Sequence, residues 1–361
     1  MSTRLRVIAF YLPQYHPIPE NDEWWGRGFT EWRNAAKARP LFRGHYQPHV
    51  PADLGFYDLR LPETRWAQAE MARSHGVEGF CYWHYWFAGR RILERPFDEV
   101  LRSKEPDFPF CLAWANQSWT GIWHGLKDKV LIAQTYPGRA DYRAHFEAVL
   151  PAFTDRRYIS VDGKPLFYVY SPLELPDARE FVDLWKELAL KAGLRGLYLV
   201  AEAPDGWDAT GRGFDATVEG GLPSLLVRQP WSRPKGRLRW EWKRRAGLPT
   251  VYRYATVCES LIGHGGSVPS RATRHIRLLP NWDNTPRSGQ NGLVLHDSTP
   301  GLFQRQIQAA IRVTAALPLE HRIAFLKSWN EWAEGNHLEP DVRFGRGYLE
   351  ALRMEVSSGQ H

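Results

Sequence analysis

Short apolar runs alternate with segments of helical periodicity along the whole chain. The runs fall at 6–12, 77–83, 110–115, 166–170, 196–201, 216–219, 276–279 and 323–326. Apolar residues recur at helical spacing over 62–75, 97–103, 140–153, 178–192 and 302–317, with a last such segment at 347–356. Gly193 follows the clearest of these where a left-handed C-terminal cap belongs. Strict alternation of strand and helix predicts a parallel sheet, and eight such units predict a single α/β domain over 1–361, a (β/α)8 barrel. A basic and aromatic insertion at 221–262 interrupts the alternation after the sixth strand.

A barrel of this kind builds its site from the C-terminal ends of its strands. Those ends are polar or aromatic in every unit, which makes them the candidate substrate-binding residues. Tyr11, Gln14 and Tyr15 follow the first strand, His84 and Trp86 end the second, and Asn116 and Trp119 follow the third. Trp282 and Asp283 follow the seventh; Asn330, Trp332 and Glu339 follow the eighth. Taken singly, His16 and His84 read equally well as structural histidines, and Trp114 or Tyr170 as caps on the barrel. Taken together they gather aromatic faces and carboxamides at one mouth. Aromatic rings stack on the apolar faces of sugars, while groups such as Asn116, Gln117, Asn281 and Asp283 satisfy hydroxyls that are costly to bury unpaired.

The eighth strand runs directly into 327–340, where Glu331 and Glu334 stand three residues apart between tryptophans. In a helical turn this spacing brings Cβ atoms to about 5–6 Å. Two carboxyl groups at about 5–5.5 Å are the pair that retaining glycoside hydrolysis uses, and their mutual repulsion leaves one of them a proton donor. A solvated first helical turn is the plainer alternative. The tryptophans around the pair favour a catalytic role.

Composition narrows the field. Of 361 residues, 24% are charged and 43% hydrophobic, with 17 Trp, 15 Tyr and 17 Phe. No run reaches the length of a membrane span, and no apolar leader precedes the first strand, which predicts a cytoplasmic protein. Cys81, Cys111 and Cys258 read as inert core thiols. No metal-ligand spacing, dinucleotide fingerprint or phosphate loop is present, so neither cofactor nor metal is implied. The segment 228–253 carries nine Lys/Arg against Glu241 alone and so accounts for the chain's net charge of +7. It is either a solvated face or a contact for an acidic or lipid-linked glycan, or for an anionic membrane at its inner surface. Nucleic acid is the least expected partner.

The stretches 11–17, 28–32, 79–86, 114–116, 282–285 and 329–335 together resemble the WbsX-like proteins of bacterial O-antigen and exopolysaccharide loci, which are related to glycoside hydrolase family 99. The likeness extends from the first strand to the last helix. It implies a (β/α)8 barrel and retaining action on an α-linked, mannoside-like glycan without a metal. By the same resemblance Glu331 deprotonates the sugar 2-hydroxyl to give a 1,2-anhydro intermediate, and Glu334 protonates the leaving oxygen and then activates water. One departure stands out: Ala333 occupies the place where family 99 usually has His, so mannoside specificity does not carry over. The alternatives are a glycosyltransferase in surface-polysaccharide assembly and a barrel that binds carbohydrate without turnover.

Overall fold

The computed structural model describes residues 5–121, 130–204, 206–219, 247–263 and 272–357. Eight parallel strands form its centre: β1 (Arg6–Tyr11), β2 (Val77–His84), β3 (Phe110–Trp114), β4 (Lys164–Val169), β5 (Tyr198–Ala203), β6 (Ala216–Glu219), β7 (Thr273–Leu278) and β8 (Ile323–Leu326). Each pairs with its neighbours in sequence, and β8 pairs with β1. The sheet is therefore a closed (β/α)8 barrel with no open edge. At Gly79 the strands approach so closely that a Cβ would lie 2.4 Å from the Pro109 carbonyl oxygen.

The first connection holds two short helices, α1 (Pro19–Trp25) and α2 (Glu31–Lys37), before α3 (Pro62–Ser74). Then come α4 (Arg95–Ser103), α5 (Arg139–Phe153), α6 (Ala178–Lys191), α7 (Tyr254–Gly263), the single turn α8 (Thr285–Ser288), α9 (Pro300–Thr314) and α10 (Gly347–Ser357). Caps fix several boundaries. Asp177 accepts from the amides of Arg179 and Glu180 to start α6, and Thr299 accepts from Leu302 to start α9 two residues earlier than periodicity suggests. The fifth strand begins at Tyr198 and not at 196, because Gly196 has φ +115° and turns the chain into the strand.

The strands read as unbroken apolar runs because both faces are buried. Inside the barrel, Phe10 stacks on Trp83 at 4.6 Å and meets Tyr168 and Phe325 at 5.0 and 5.7 Å. Outside it, Trp185 of α6 packs on Phe167 at 4.7 Å. All three cysteines are buried. Much of the basic insertion, 221–246 of 221–262, lies outside the described residues. In its described part, Thr250–Arg253 forms a short parallel pair with Leu293–His296, outside the barrel sheet. Among the described residues no helix is long and apolar enough to cross a membrane.

Candidate active site

The residues that leave β8 are tied down from behind. Trp329 donates its amide to the Phe10 carbonyl at 2.8 Å, and Ser328 Oγ reaches the same oxygen at 3.0 Å. The Asn330 carboxamide clamps Leu12, accepting from its amide at 2.7 Å and donating to its carbonyl at 3.0 Å. The Tyr15 hydroxyl donates to the Asn330 carbonyl and accepts from the Trp332 amide. A 3-10 turn, Trp332–Glu334, follows, ending in Gly335 with left-handed φ +52°. The spacing of Glu331 and Glu334 thus becomes a tight turn, held against the end of β1.

Both carboxyls face a cavity of about 430 Å³ at the C-terminal mouth of the barrel. One guanidinium nitrogen, Arg287 Nη1, touches both, at 2.6 Å from Glu334 and 3.3 Å from Glu331. The two oxygens therefore lie within two hydrogen-bond lengths of each other. Arg287 also binds Glu31, with Nε 3.1 Å from Oε2. Burial, then the charge of Glu334, pushes the Glu331 carboxyl up to about 7, against the opposing pull of Arg287 and Lys327. The Lys327 ammonium projects over Trp282 and Tyr170, 5.3 and 5.7 Å from their ring centroids. It makes no ion pair among the described residues. Burial works against its charge, but Tyr170, Glu331 and Glu334 outweigh that and hold its pKa above the ordinary value.

Of the residues the sequence nominates, Gln14, Gln117, Trp119, Trp282, Glu331 and Glu334 line this cavity. Trp119 stands edge-on to Tyr85 at 5.2 Å, and the Trp282 indole N–H has no hydrogen-bond partner among the described residues. The others stand behind the wall. Strand alternation separates them: Trp83 and Tyr85 face the cavity, while His84 and Trp86 point outward to His145 of α5. Tyr11 likewise faces outward and donates to Gln68 of α3 at 2.6 Å. Asn116 bridges Tyr136 and Ser171, and Tyr15 and Asn330 serve the clamp described above.

Three further nominees hold the turn that carries Glu331 and Glu334 in place. Glu339 accepts from the Trp332 indole at 2.6 Å, Gln68 at 2.7 Å and Tyr57 at 2.8 Å. Burial pushes its carboxyl up to about 7 despite these donors. Trp332 is thereby fixed flat against His337, with ring centroids 3.8 Å apart. Asp283 receives His45, Gln47 and Thr285 on its side chain, and its amide donates to the Glu334 carbonyl at 2.7 Å. Burial disfavours its charge, yet these donors, His45 foremost, hold its carboxyl below the ordinary value.

Sequence reasoning missed Glu31, Arg277, Arg287 and Lys327 as members of the site. Glu31 sits in the 28–32 stretch already singled out, and Lys327 opens the Glu331 segment. Arg277 pairs with Glu202 at 2.7 Å inside the mouth. For Arg287 no local pattern existed; its role depends on where α8 is placed.

A family model described as glycosyltransferase WbsX matches residues 7–352. An uncharacterized protein WxcX from Xanthomonas campestris pv. campestris strain B100 is 36% identical over 367 residues, covering 97% of this chain and 49% of the relative. A second WxcX, from strain ATCC 33913, matches to the same extent. The chain thus spans about half the length of these curated relatives. Among solved structures, a glycoside hydrolase-like protein matches with a TM-score of 0.62 at 15% identity, covering 98% of this chain and 94% of the other. The GH99 endo-alpha-mannosidase from Bacteroides thetaiotaomicron matches with a TM-score of 0.58 at 15% identity, covering 98% and 97%. These two structures share the barrel. The sequence match over nearly the whole chain places the protein in the WbsX glycosyltransferase family.

Proposed function

We infer that the protein is a glycan-active enzyme that cleaves an α-linked glycosidic bond with retention, through Glu331 and Glu334. The observation that carries this reading is the shared guanidinium: two buried carboxyls converge on Arg287 Nη1 at the floor of a tryptophan- and tyrosine-lined cavity. The sugar stacks against the aromatic wall, which includes Trp282, and its hydroxyls reach Gln14 and Gln117.

The ionised Glu331 takes the proton of the sugar 2-hydroxyl. The 2-oxygen attacks C1 as the bond from C1 to the leaving oxygen breaks, and that oxygen takes the proton of Glu334. The 1,2-anhydro sugar is then opened by water, which gives its proton to Glu334 while Glu331 returns its own to O2. Two inversions at C1 leave the anomer as it began. A base with a pKa of about 7 suits this task at neutral pH. Transfer to a sugar hydroxyl in place of water uses the same residues, and the family's description favours keeping this second reading.

The test is product analysis by mass spectrometry after incubation with α-mannans and with polysaccharide from the producing organism. Wild-type protein is expected to release fragments, or to lengthen an acceptor if transfer dominates, and Glu334→Gln to bind glycan without turnover. Equal product from both forms would overturn the assignment; binding with no product from either would leave a carbohydrate-binding barrel as the account.

A further inference from the structure

Behind the catalytic turn lies a second group of chemistry-bearing side chains that the proposed reaction does not use. His49, from the loop between α2 and α3, and His337 and Asp341, from the segment after β8, bring their ligand atoms within 4.8 Å of one another, all of them buried. His49 Nδ1 lies 2.9 Å from His337 Nε2, and Asp341 Oδ2 lies 3.9 Å from that same nitrogen.

Three features set this group apart from an ordinary buried polar cluster. Asp341 is 2% exposed, yet its Oδ2 accepts no hydrogen bond among the described residues, while Oδ1 is satisfied by the Phe344 amide at 2.6 Å. The nearby Arg343 guanidinium does not pair with it but lies over the Tyr46 and Phe344 rings. The Tyr46 hydroxyl hydrogen-bonds to the Asp341 carboxyl but brings no charge; a buried carboxylate with no cationic partner is costly, and a divalent ion supplies what it lacks. Second, His337 Nδ1 lies 2.9 Å from the Glu339 carbonyl, so Nδ1 carries the proton and the Nε2 lone pair faces His49 and Asp341. This is the tautomer that second-sphere carbonyls impose on metal-binding histidines. Third, the Tyr46 ring stacks on His49 at 4.3 Å, and a cavity of about 40 Å³ adjoins both residues. The cavity is large enough for a water beside His49, though neither His337 nor Asp341 lines it.

We propose that His49, His337 and Asp341 form a structural site for a first-row divalent cation, zinc by preference. Two imidazole nitrogens and one carboxylate match the ligands that zinc takes. At about 2.0–2.1 Å from zinc, two nitrogens at the tetrahedral angle stand about 3.3–3.4 Å apart, so the histidines separate by roughly half an ångström and Asp341 closes in. His49 then carries its proton on Nε2. The ion joins two segments already laced together, by Ala52 N to Pro340 O at 2.9 Å and Val342 N to Val50 O at 2.9 Å. Because His337 stacks on Trp332, between the two catalytic glutamates, the ion braces the turn without touching substrate.

The test is metal analysis of the full chain, purified without a histidine tag and dialysed against a weak chelator. One equivalent of zinc per chain is expected, with a melting temperature that falls on EDTA treatment and recovers with added zinc chloride. Asp341→Asn, which keeps the shape of the side chain, is expected to lose the zinc and the zinc-dependent part of the melting temperature, as is His337→Gln. A chain without stoichiometric metal whose melting temperature ignores added zinc would overturn the proposal. Zinc retained equally by Asp341→Asn and His337→Gln would overturn it too. Neither result depends on any catalytic activity.

Discussion

Arg287 meets three buried carboxylates at once, and that position makes it the residue most sensitive to replacement in the site. Arg287→Met leaves Glu31, Glu331 and Glu334 without their shared cation. Breaking a buried pair from one side costs about 3–5 kcal/mol, which a shift in the urea midpoint would register. The same change removes a positive charge that lowers the Glu331 pKa, so the acidic limb of the rate profile moves upward. Under the proposed mechanism that limb is expected near pH 7 in the wild type, since protonated Glu331 would not serve as the base; the value belongs to the coupled pair. Stability carries the opposite signature. Glu331 and Glu339 both hold protons more tightly in the folded chain than in the unfolded one, so their contribution is full below about pH 4.5 and is lost as pH rises through 7. Glu331→Gln is expected to flatten that decline in a series of unfolding midpoints; an unchanged slope would refute the assigned shift. Glu331 and Glu334 were legible because their geometry is local to one turn. Glu31 and Arg287 were not, because their meeting is made by the fold and leaves no spacing to read.

The 3-10 turn that carries the pair depends on Gly335. Its φ of +52° is left-handed, and an added Cβ would stand 2.8 Å from Asp283 Cβ and 3.0 Å from the Asp283 backbone nitrogen and oxygen. Gly335→Ala therefore incurs both backbone strain and a clash, each of about 1–2 kcal/mol, and pushes on the residue whose amide holds the Glu334 carbonyl. Loss of turnover with a modest fall in the unfolding midpoint is expected; full activity would show that the turn tolerates displacement. At this scale the sequence was informative about which strand ends form the mouth and silent about which residues face it. The strands are apolar on both faces, so their alternation leaves no polar stripe to follow. Counting parity from Trp83 would have set Tyr85 in the cavity and His84 and Trp86 against α5, but nothing local says which parity points inward. Helix α2, which delivers Glu31, is seven residues long in a loop broken by prolines, too short for periodicity to register.

The whole molecule was the most legible of all. Eight apolar runs became eight barrel strands, most within two or three residues of their expected ends, because alternation of strand and helix is a property of the entire chain. The site then follows from topology: a closed parallel barrel offers its C-terminal loops at one mouth, and the described cavity with Glu331 and Glu334 lies there. What the barrel does not dictate is which bond is cut, since similar barrels serve many reactions. The claim that depends on all three scales is retention through the Glu331 and Glu334 pair. Its most direct test is the configuration of the first-formed reducing end, followed by proton NMR from the start of a reaction on an α-linked glycan. An α-anomer that appears first and mutarotates later, and that is absent with Glu334→Gln, is the predicted result. A β-anomer appearing first would contradict the mechanism.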